Sequence, residues 1–381
     1  MIAVTWFKNP HENRNYWLRF GLMRLHRAGE IVYREASLAE CTGAGFDPAV
    51  AAHEHRHTSA IAVSDNDSNR GRTTRAIVDS EDSFFCMANM MPHADRYFCA
   101  GYNGAFFRDK TFEPPYPWLE PHETAFYRQR ADFLIANFGD HFDRVRPFVP
   151  IGPDLDRKQP IGPLARKLRN AHDKAARALG RNHEWRFVLE DFEHRYADLL
   201  GRRNTPPAHD VVLLDTLWGW PRHREALHRR LQAMAASGND IHSRLNWAEP
   251  SHWDGSDAAP LDKADFPITT GPVDNYEAML AASRLGVFAS GFHWGWRNIM
   301  TVALMWGLPI HADRLFLEPW FDMDRFVIGW NDHADWQDLP AALAAIDDAE
   351  RTRIMAHNQA AFDELLAPEC VARYFVEAAL A

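Results

Sequence analysis

The sequence predicts an α/β protein with two Rossmann-like domains that face one another across a cleft. Short apolar segments of strand length alternate with segments of helical periodicity over residues 1–149 and again over residues 211–329, which is the pattern of strand–helix–strand units. Between the two series, residues 164–200 are charged and helical in pattern, and the turn-forming Pro206 and Pro207 follow. We therefore expect an N-terminal domain over residues 1–155, a helical linker or insertion over 156–208 and a C-terminal domain over 209–381.

The composition is that of an ordinary globular protein. A length of 381 residues suits two domains, and 46% hydrophobic and 25% charged residues are typical contents. The net charge of −10 argues against nucleic-acid binding. No segment has the apolar length of a membrane span, and residues 1–7 lack the features of a signal peptide, so we expect a cytoplasmic protein. The four cysteines share no metal or redox spacing and are expected to be free thiols. The oligomeric state stays open.

In the first domain, apolar runs predict strands at residues 1–7, 30–33, 60–63, 76–78, 95–101 and 145–149. Helical periodicity predicts helices at residues 11–28 and 123–138, the first of them ended by Gly29. Residues 65–72 are polar and are expected to form a loop. The aromatic and proline-rich residues 102–118 are long enough for a functional loop, either an acceptor-sugar platform or a packed structural segment.

In the second domain, the same patterns predict strands at residues 211–217, 241–247, 266–270, 286–290, 308–312 and 325–329. Helices are predicted at residues 222–236, 275–285, 297–306, 339–346, 349–366 and 368–380.

Residues 286–312 form the most informative unit, a strand, a turn with Gly291 and Gly295, a buried helix from Arg297 and a second strand. The turn follows the carboxyl end of a strand, where open α/β sheets bind ligands. The helix start provides free N–H groups and partial positive charge, and a guanidinium can bind two phosphate oxygens. The alternative for Arg297 is a structural ion pair with a neighbouring carboxylate.

This stretch resembles the nucleotide-sugar site of glycosyltransferases of the GT-B architecture, most closely the exostosin-like group. In that group, a helix with Tyr and a Ser-Arg pair leads to a strand, a glycine turn and an Arg, and then to the motif Glu-Ala-Leu-x-x-Gly-x-Pro-Val. The matching positions here are Tyr276, Ser283, Arg284, Gly291, Arg297 and residues 302–310. The chain departs from the family at Val302, where the family carries a glutamate that binds the donor's ribose or sugar. Glu318 is our candidate to replace it.

The resemblance implies a nucleotide-sugar donor, UDP- or GDP-linked, bound by the second domain, and a carbohydrate acceptor bound by the first. It also implies no metal and no further cofactor, and a last helix that packs back on the first domain. Trp218 and Arg222, with Arg224, follow the first strand of the second domain, where they would meet the diphosphate, although surface ion pairs are the alternative for the arginines. The expected donor-binding residues are Gly291, His293, Trp294, Arg297, Asn298, Tyr276, Ser283, Trp218, Arg222, Arg244, Asp313 and Glu318.

On the acceptor side, Asp79, Glu81 and Asp82 gather after the predicted strand at residues 76–78. Inverting sugar transfer needs a carboxylate that takes the proton of the acceptor hydroxyl. Crowding of like charges raises one pKa and favours such a base. Glu81 is preferred because its side chain is longer and freer to reach across the cleft, whereas Asp79, nearest the strand, is the better cap for a helix through Met90. The alternative is that the whole group only caps that helix.

The leading function is therefore a metal-independent glycosyltransferase of polysaccharide biosynthesis. A nucleotide-sugar epimerase on the same fold is the first alternative, and a binding or scaffolding protein without catalysis is the second, favoured by the missing glutamate at Val302. A NAD-dependent dehydrogenase is disfavoured because no Gly-x-Gly-x-x-Gly follows Phe7 or Leu217.

Overall fold

The structure is a computed structural model. It describes residues 1–9, 14–53, 57–65, 72–114, 119–148, 152–155, 167–168, 171, 175, 185–217, 220–248, 261–269, 271, 273, 275–291 and 294–381. Two separate sheets organise these residues, one from the first 147 residues and one from residues 209–331. The α/β fold class and the two sheets that the sequence predicts are thereby confirmed.

The first sheet has six strands in the order β2-β1-β3-β4-β5-β6. Its apolar strands β3 and β4 lie in the middle of the sheet and are buried along most of their length. The strand bounds are β1 Ile2–Lys8, β2 Val32–Ser37, β3 Thr58–Asp65, β4 Arg72–Asp79, β5 Arg96–Cys99 and β6 Val145–Pro147.

Strand β3 departs from a purely parallel Rossmann-like arrangement, because it runs antiparallel to both β1 and β4. The other neighbours in this sheet are parallel. The reason lies in the length of the connection: only residues 66–71 separate β3 from β4, whereas a parallel crossover needs about a dozen residues or more. The Rossmann-like arrangement expected of the first domain therefore holds for five of its strands, which run parallel, and β3 is the exception.

The second sheet has five parallel strands in the order β11-β10-β9-β7-β8. The sequence predicted a strand at residues 266–270, but residues 266–269 form none. It also placed Ser283 on a helix, whereas Ser283 begins β9. The strand bounds are β7 His209–Leu217, β8 Ile241–Trp247, β9 Ser283–Phe288, β10 Ile310–Asp313 and β11 Ile328–Asn331.

Eleven α-helices lie in the described part of the chain, none of them both long and apolar enough to cross a membrane. Their bounds are α1 Tyr16–Arg27, α2 Pro48–Ala51, α3 Gly104–Asp109, α4 Pro121–Phe138, α5 Trp185–Leu200, α6 Pro221–Ala236, α7 Tyr276–Ala281, α8 Asn298–Trp306, α9 Leu339–Ala344, α10 Asp348–Leu365 and α11 Pro368–Leu380. Short 3-10 helices occupy Leu38–Ala44, Phe84–Cys86, Met91–His93, Gly139–Arg144, Lys263–Asp265 and Met323–Arg325.

The last helix, α11, packs on α1 beside the first sheet. The ring of Phe375 lies 4.7 Å from that of Phe98 on β5, and the Arg24 guanidinium bonds the Glu369 carboxylate at 2.6 Å. The indole N–H of Trp17 on α1 donates to the carbonyl oxygen of Leu366 at 2.9 Å. One continuous apolar core therefore joins residues of the first sheet to the carboxyl-terminal helices.

Gly21 makes the contact between α1 and α11 possible, and we expect its replacement by alanine to be destabilising. A Cβ atom at Gly21 would lie 1.9 Å from the carbonyl oxygen of Pro368, so the two helices must separate, at a cost of about 1–3 kcal/mol. Gly43→Ala is the matched control, since its Cβ would meet nothing within 4 Å. Urea denaturation measures both variants; an equal stability would show that the two helices do not pack this closely.

Candidate functional site

The loops that follow β4 and β9 are in direct contact. A Cβ atom on Gly295, in the loop after β9, would lie 2.2 Å from the carbonyl oxygen of Asp82, in the loop after β4. A hydrogen bond of 2.8 Å from the N–H of Gly291 to the carbonyl oxygen of Gly295 closes the second loop. Only a residue without a side chain permits this approach at position 295. The acidic segment of the first sheet and the glycine turn of the second therefore form one site.

Asp79, the last residue of β4, is a structural centre of this site. Its carboxylate accepts hydrogen bonds from the backbone N–H groups of Glu81 at 2.9 Å and Ala88 at 2.7 Å, and from the hydroxyl of Tyr97. Burial and the nearby Glu81 charge raise the pKa of Asp79 to about 6, although these hydrogen bonds oppose the rise. The predicted helix through Met90 does not form. Instead, a short 3-10 helix, Phe84–Cys86, follows the acidic segment, and the side chain of Ser83 caps it.

Glu81 and Asp82 each face a basic side chain. The Nδ1 atom of His57, a buried residue, lies 2.5 Å from the Glu81 carboxylate. The Arg14 guanidinium donates to the Asp82 carboxylate at 2.6 Å and lies 4.0 Å from Glu81. Burial raises the pKa of Asp82 to about 6, with Arg14 and Arg297 opposing and Glu81 reinforcing the rise. The side chains of Glu81 and Asp82 keep 15% and 19% of their surface exposed, so both remain open to solvent.

On the second sheet, Asp215 of β7 holds two arginines below the glycine turn. Its carboxylate accepts from Arg224 at 2.7 and 2.8 Å and lies 3.2 Å from Arg297. Arg224 also donates to the carbonyl oxygen of Ser290 at 2.6 Å. Burial would raise the pKa of Asp215, but the two guanidinium groups hold it well below its usual value. Arg297 thus has the carboxylate partner that the structural alternative required, while 16% of its side chain stays exposed.

Asp313, at the carboxyl end of β10, fixes the other side of the turn. Its carboxylate accepts from the backbone N–H of Ser290 at 2.9 Å, the amide of Asn331 at 2.9 Å and the Nε2 atom of His223 at 2.9 Å. The Nδ1 atom of His223 lies 2.9 Å from the carbonyl oxygen of Ala334. His223 therefore links the Asp313 carboxylate to the backbone at Ala334, and Asp313 in turn fixes the glycine turn through the N–H of Ser290.

Trp294 lies in the turn with a positive φ of 64° and is packed into an aromatic cluster of the first sheet. Its ring is 4.2 Å from that of Tyr127, 5.3 Å from that of Trp220 and 5.5 Å from that of Phe85. Only 1% of its surface is exposed. The indole therefore joins the two sheets, and its surface is already covered by protein.

The other predicted donor residues are dispersed. Arg222, Arg244 and Asn298 are exposed. Arg222 forms an ion pair with Glu225 on the same helix at 2.9 Å, which is the surface ion pair given above as the alternative to donor binding. Ser283 is buried and donates to the carbonyl oxygen of Met279 at 3.2 Å.

Two further predicted residues lie near the facing loops. Tyr276 is close enough to Arg297 for the guanidinium to oppose the rise that burial causes in its pKa. The backbone N–H of Glu318 bonds the carbonyl oxygen of Tyr102 at 2.7 Å, which sets Glu318 against the first domain. The predicted Trp218 and His293 lie outside the described residues.

Sequence reasoning missed Arg14, His57 and Asp215. Asp215 has a usable signal, because it is a single carboxylate inside the apolar run of β7 and a buried charge requires a partner. Arg224, nine residues later, is that partner. Arg14 and His57 have no such signal, since they approach the acidic segment only through the pairing of β1, β3 and β4.

No protein-family model and no curated protein matches the chain. Among solved structures, the chain is similar to the N-terminal domain of Candida albicans trehalose-6-phosphate phosphatase, with a TM-score of 0.37 and 11% identity over 75% of this chain and 65% of that one. It is also similar to WaaG, a glycosyltransferase involved in lipopolysaccharide biosynthesis, with a TM-score of 0.32 and 15% identity over 75% of each chain. A third similar structure is the wall teichoic acid polymerase TagF, with a TM-score of 0.32 and 8% identity over 98% of this chain and 86% of that one. At these values the likeness assigns no activity, donor or acceptor.

Proposed function

We propose that the chain is a glycosyltransferase of the GT-B architecture that moves a sugar from a UDP- or GDP-linked donor to a carbohydrate acceptor. The observation that carries the proposal is the contact between Gly295 and Asp82. It brings carboxylates able to act as a base beside an arginine able to bind a diphosphate, at the carboxyl edges of both sheets, where α/β folds bind ligands. More specifically, we propose that the chain is similar in function to the exostosin-like group, a proposal supported by the motif at residues 302–310.

Within the acidic segment, we assign the base to Asp82. Asp79 has its carboxylate committed to three hydrogen bonds. Glu81 and Asp82 each have one close basic partner, His57 and Arg14, so the choice between these two carboxylates rests on position and pKa. Asp82 touches the turn of the second sheet, and its pKa of about 6 suits a base at neutral pH. The Asp82 carboxylate takes the proton of the acceptor hydroxyl as the acceptor oxygen bonds the anomeric carbon. The bond from that carbon to the donor's diphosphate breaks at the same time, and its electron pair leaves with the diphosphate.

Arg297 is assigned to the departing diphosphate. It lies just before helix α8, whose first N–H groups add partial positive charge. Its ion pair with Asp215 fixes the orientation of the guanidinium, and 16% of its side chain is exposed to solvent. A prearranged positive group at the position of developing charge is the usual means of stabilising such a leaving group.

We expect Arg297→Ala to weaken donor binding by about 1.5–3 kcal/mol, because one charged hydrogen bond is lost. Isothermal titration with the donor measures the affinity, and thermal unfolding shows whether the fold survives the loss of the Asp215 contact. Arg353→Ala is the matched control, since Arg353 is exposed on α10 and pairs with Glu350. Unchanged donor affinity in folded Arg297→Ala protein would remove Arg297 from the donor site.

The function itself is tested by screening nucleotide sugars for thermal stabilisation and then for transfer to carbohydrate acceptors. A donor at about 100 times its Kd stabilises the fold by about 2.7 kcal/mol. Transfer of the sugar supports the proposal. Conversion of the donor without any acceptor would identify an epimerase instead. Binding with neither transfer nor donor hydrolysis would identify a non-catalytic binding protein, the alternative that the missing glutamate at Val302 favours.

A further inference from the structure

Two histidines and an aspartate converge at the amino edge of the second sheet. His209 begins β7, Asp240 directly precedes β8, and His242 lies within β8. The Asp240 carboxylate is 2.9 Å from Nδ1 of His209 and 3.0 Å from Nε2 of His242. The three donor atoms all lie within 4.8 Å of one another. We propose that these residues bind one divalent first-row transition metal ion, of the class of Zn²⁺, Ni²⁺ or Co²⁺.

The donor chemistry fits this class of metal. Imidazole nitrogens suit zinc, nickel and copper, and a carboxylate completes a mixed nitrogen and oxygen set. Two donors in a tetrahedral site, each about 2.1 Å from the metal, are about 3.4 Å apart, so the observed separations of 2.9 and 3.0 Å need widen by only about 0.5 Å to admit an ion. An imidazole binds such an ion in its neutral form, through a ring nitrogen whose lone pair faces the metal.

The backbone around these residues is fixed before any metal binds. The carbonyl oxygen of Asp240 accepts from the N–H of Asp210 at 2.9 Å, and the Asp210 carboxylate accepts from the N–H of Asp240 at 2.9 Å. This reciprocal pair of bonds holds the start of β7 against the start of β8. The ligands therefore need only side-chain rotation to bind an ion.

The proposed ion is reachable from solvent and distant from the facing loops. The side chains of His242 and Asp240 are 44% and 55% exposed. Asp215 lies six residues further along β7, which is roughly 20 Å at the rise of a β-strand. The ion would therefore join two strand starts and leave glycosyl transfer unchanged, so that the test below is independent of the proposed function.

The test uses the full chain, treated with EDTA, desalted and titrated calorimetrically with ZnCl₂ or NiCl₂ at pH 7.5. We expect one ion per chain, a melting temperature that rises with metal concentration, and weaker binding at pH 5.5, where free histidines are protonated. His209→Gln with His242→Gln should weaken binding about 100-fold or more. His357→Gln, an exposed histidine on α10, should bind as the wild type does.

Two results would overturn the proposal. One is a wild-type protein that binds neither metal above the level of the double variant. The other is equal weakening by His357→Gln and by the double variant, which would indicate nonspecific binding to surface histidines. The single variant His242→Gln guards against misfolding of the double variant, because His242 is exposed and its loss should still weaken binding measurably.

Discussion

Replacing Asp215 with asparagine is expected to lower the free energy of unfolding by about 3–5 kcal/mol, the cost of leaving a buried guanidinium without its counter-charge. Asp215 is 1% exposed and Arg224, its closest partner, is equally buried. Asparagine is nearly the same size, so the variant removes charge without creating a cavity. Urea denaturation at pH 7 measures the loss. Replacing Arg224 with methionine in the same chain should recover part of it, since one buried charge then disappears.

The matched control is Asp332→Asn. Asp332 pairs with Arg314 at 3.3 Å, but both side chains are mostly exposed, so its loss should cost about 1 kcal/mol or less. The pH dependence adds a second check. Because the folded pKa of Asp215 is depressed, its stabilisation is complete above the unfolded pKa of about 3.9 and is lost as the pH falls below it. The two proteins should therefore converge in acid. A loss at pH 7 no larger than that of Asp332→Asn would contradict a buried ion pair.

Local patterns predict most of the elements of this fold. The period of apolar residues identified β8 with its exact bounds and α11 as well, because each pattern is long and is bounded by turn residues. The antiparallel direction of β3 could also have been predicted from the sequence, because the six residues between β3 and β4 are too few for a parallel crossover. The strand expected at residues 266–270 is wrong for residues 266–269, because an apolar run is not enough to form a strand. This segment lies beside β8, but among the described residues its backbone bond to that strand is the single one from the N–H of Thr269 to the carbonyl oxygen of Leu245.

The residues of the candidate site also fall into those that local patterns predict and those that they do not. Asp79, Glu81 and Asp82 could be placed at the end of β4 because strand ends are local features of the chain. Their partners Arg14 and His57 could not, because contacts between residues more than twenty positions apart depend on strand order. The preference for Glu81 as the base rested on side-chain length, and sequence could not show that His57 engages Glu81.

The different surroundings of Asp82 and Glu81 lead to the second prediction, which concerns turnover. We expect Asp82→Asn to keep donor binding and to lose about 10²–10⁴ in turnover, the range for removal of a general base. Glu81→Gln should lose less, because Glu81 acts on the site through His57 and its neighbouring charge. Asparagine preserves the shape of the Asp82 side chain and one oxygen that can accept from Arg14. Turnover and donor affinity are measured side by side for both variants.

The pH profile tests the same assignment independently. A base must be deprotonated to act, and the pKa of Asp82 is about 6. Wild-type turnover should therefore be level above about pH 6 and fall about tenfold per pH unit below it, and this acid limb should vanish from the residual activity of Asp82→Asn. A severe loss in Glu81→Gln with near-normal Asp82→Asn would return the base to Glu81. Near-normal turnover in both variants would show that the acidic segment is not catalytic and that its role is to join β4 to the turn at Gly295.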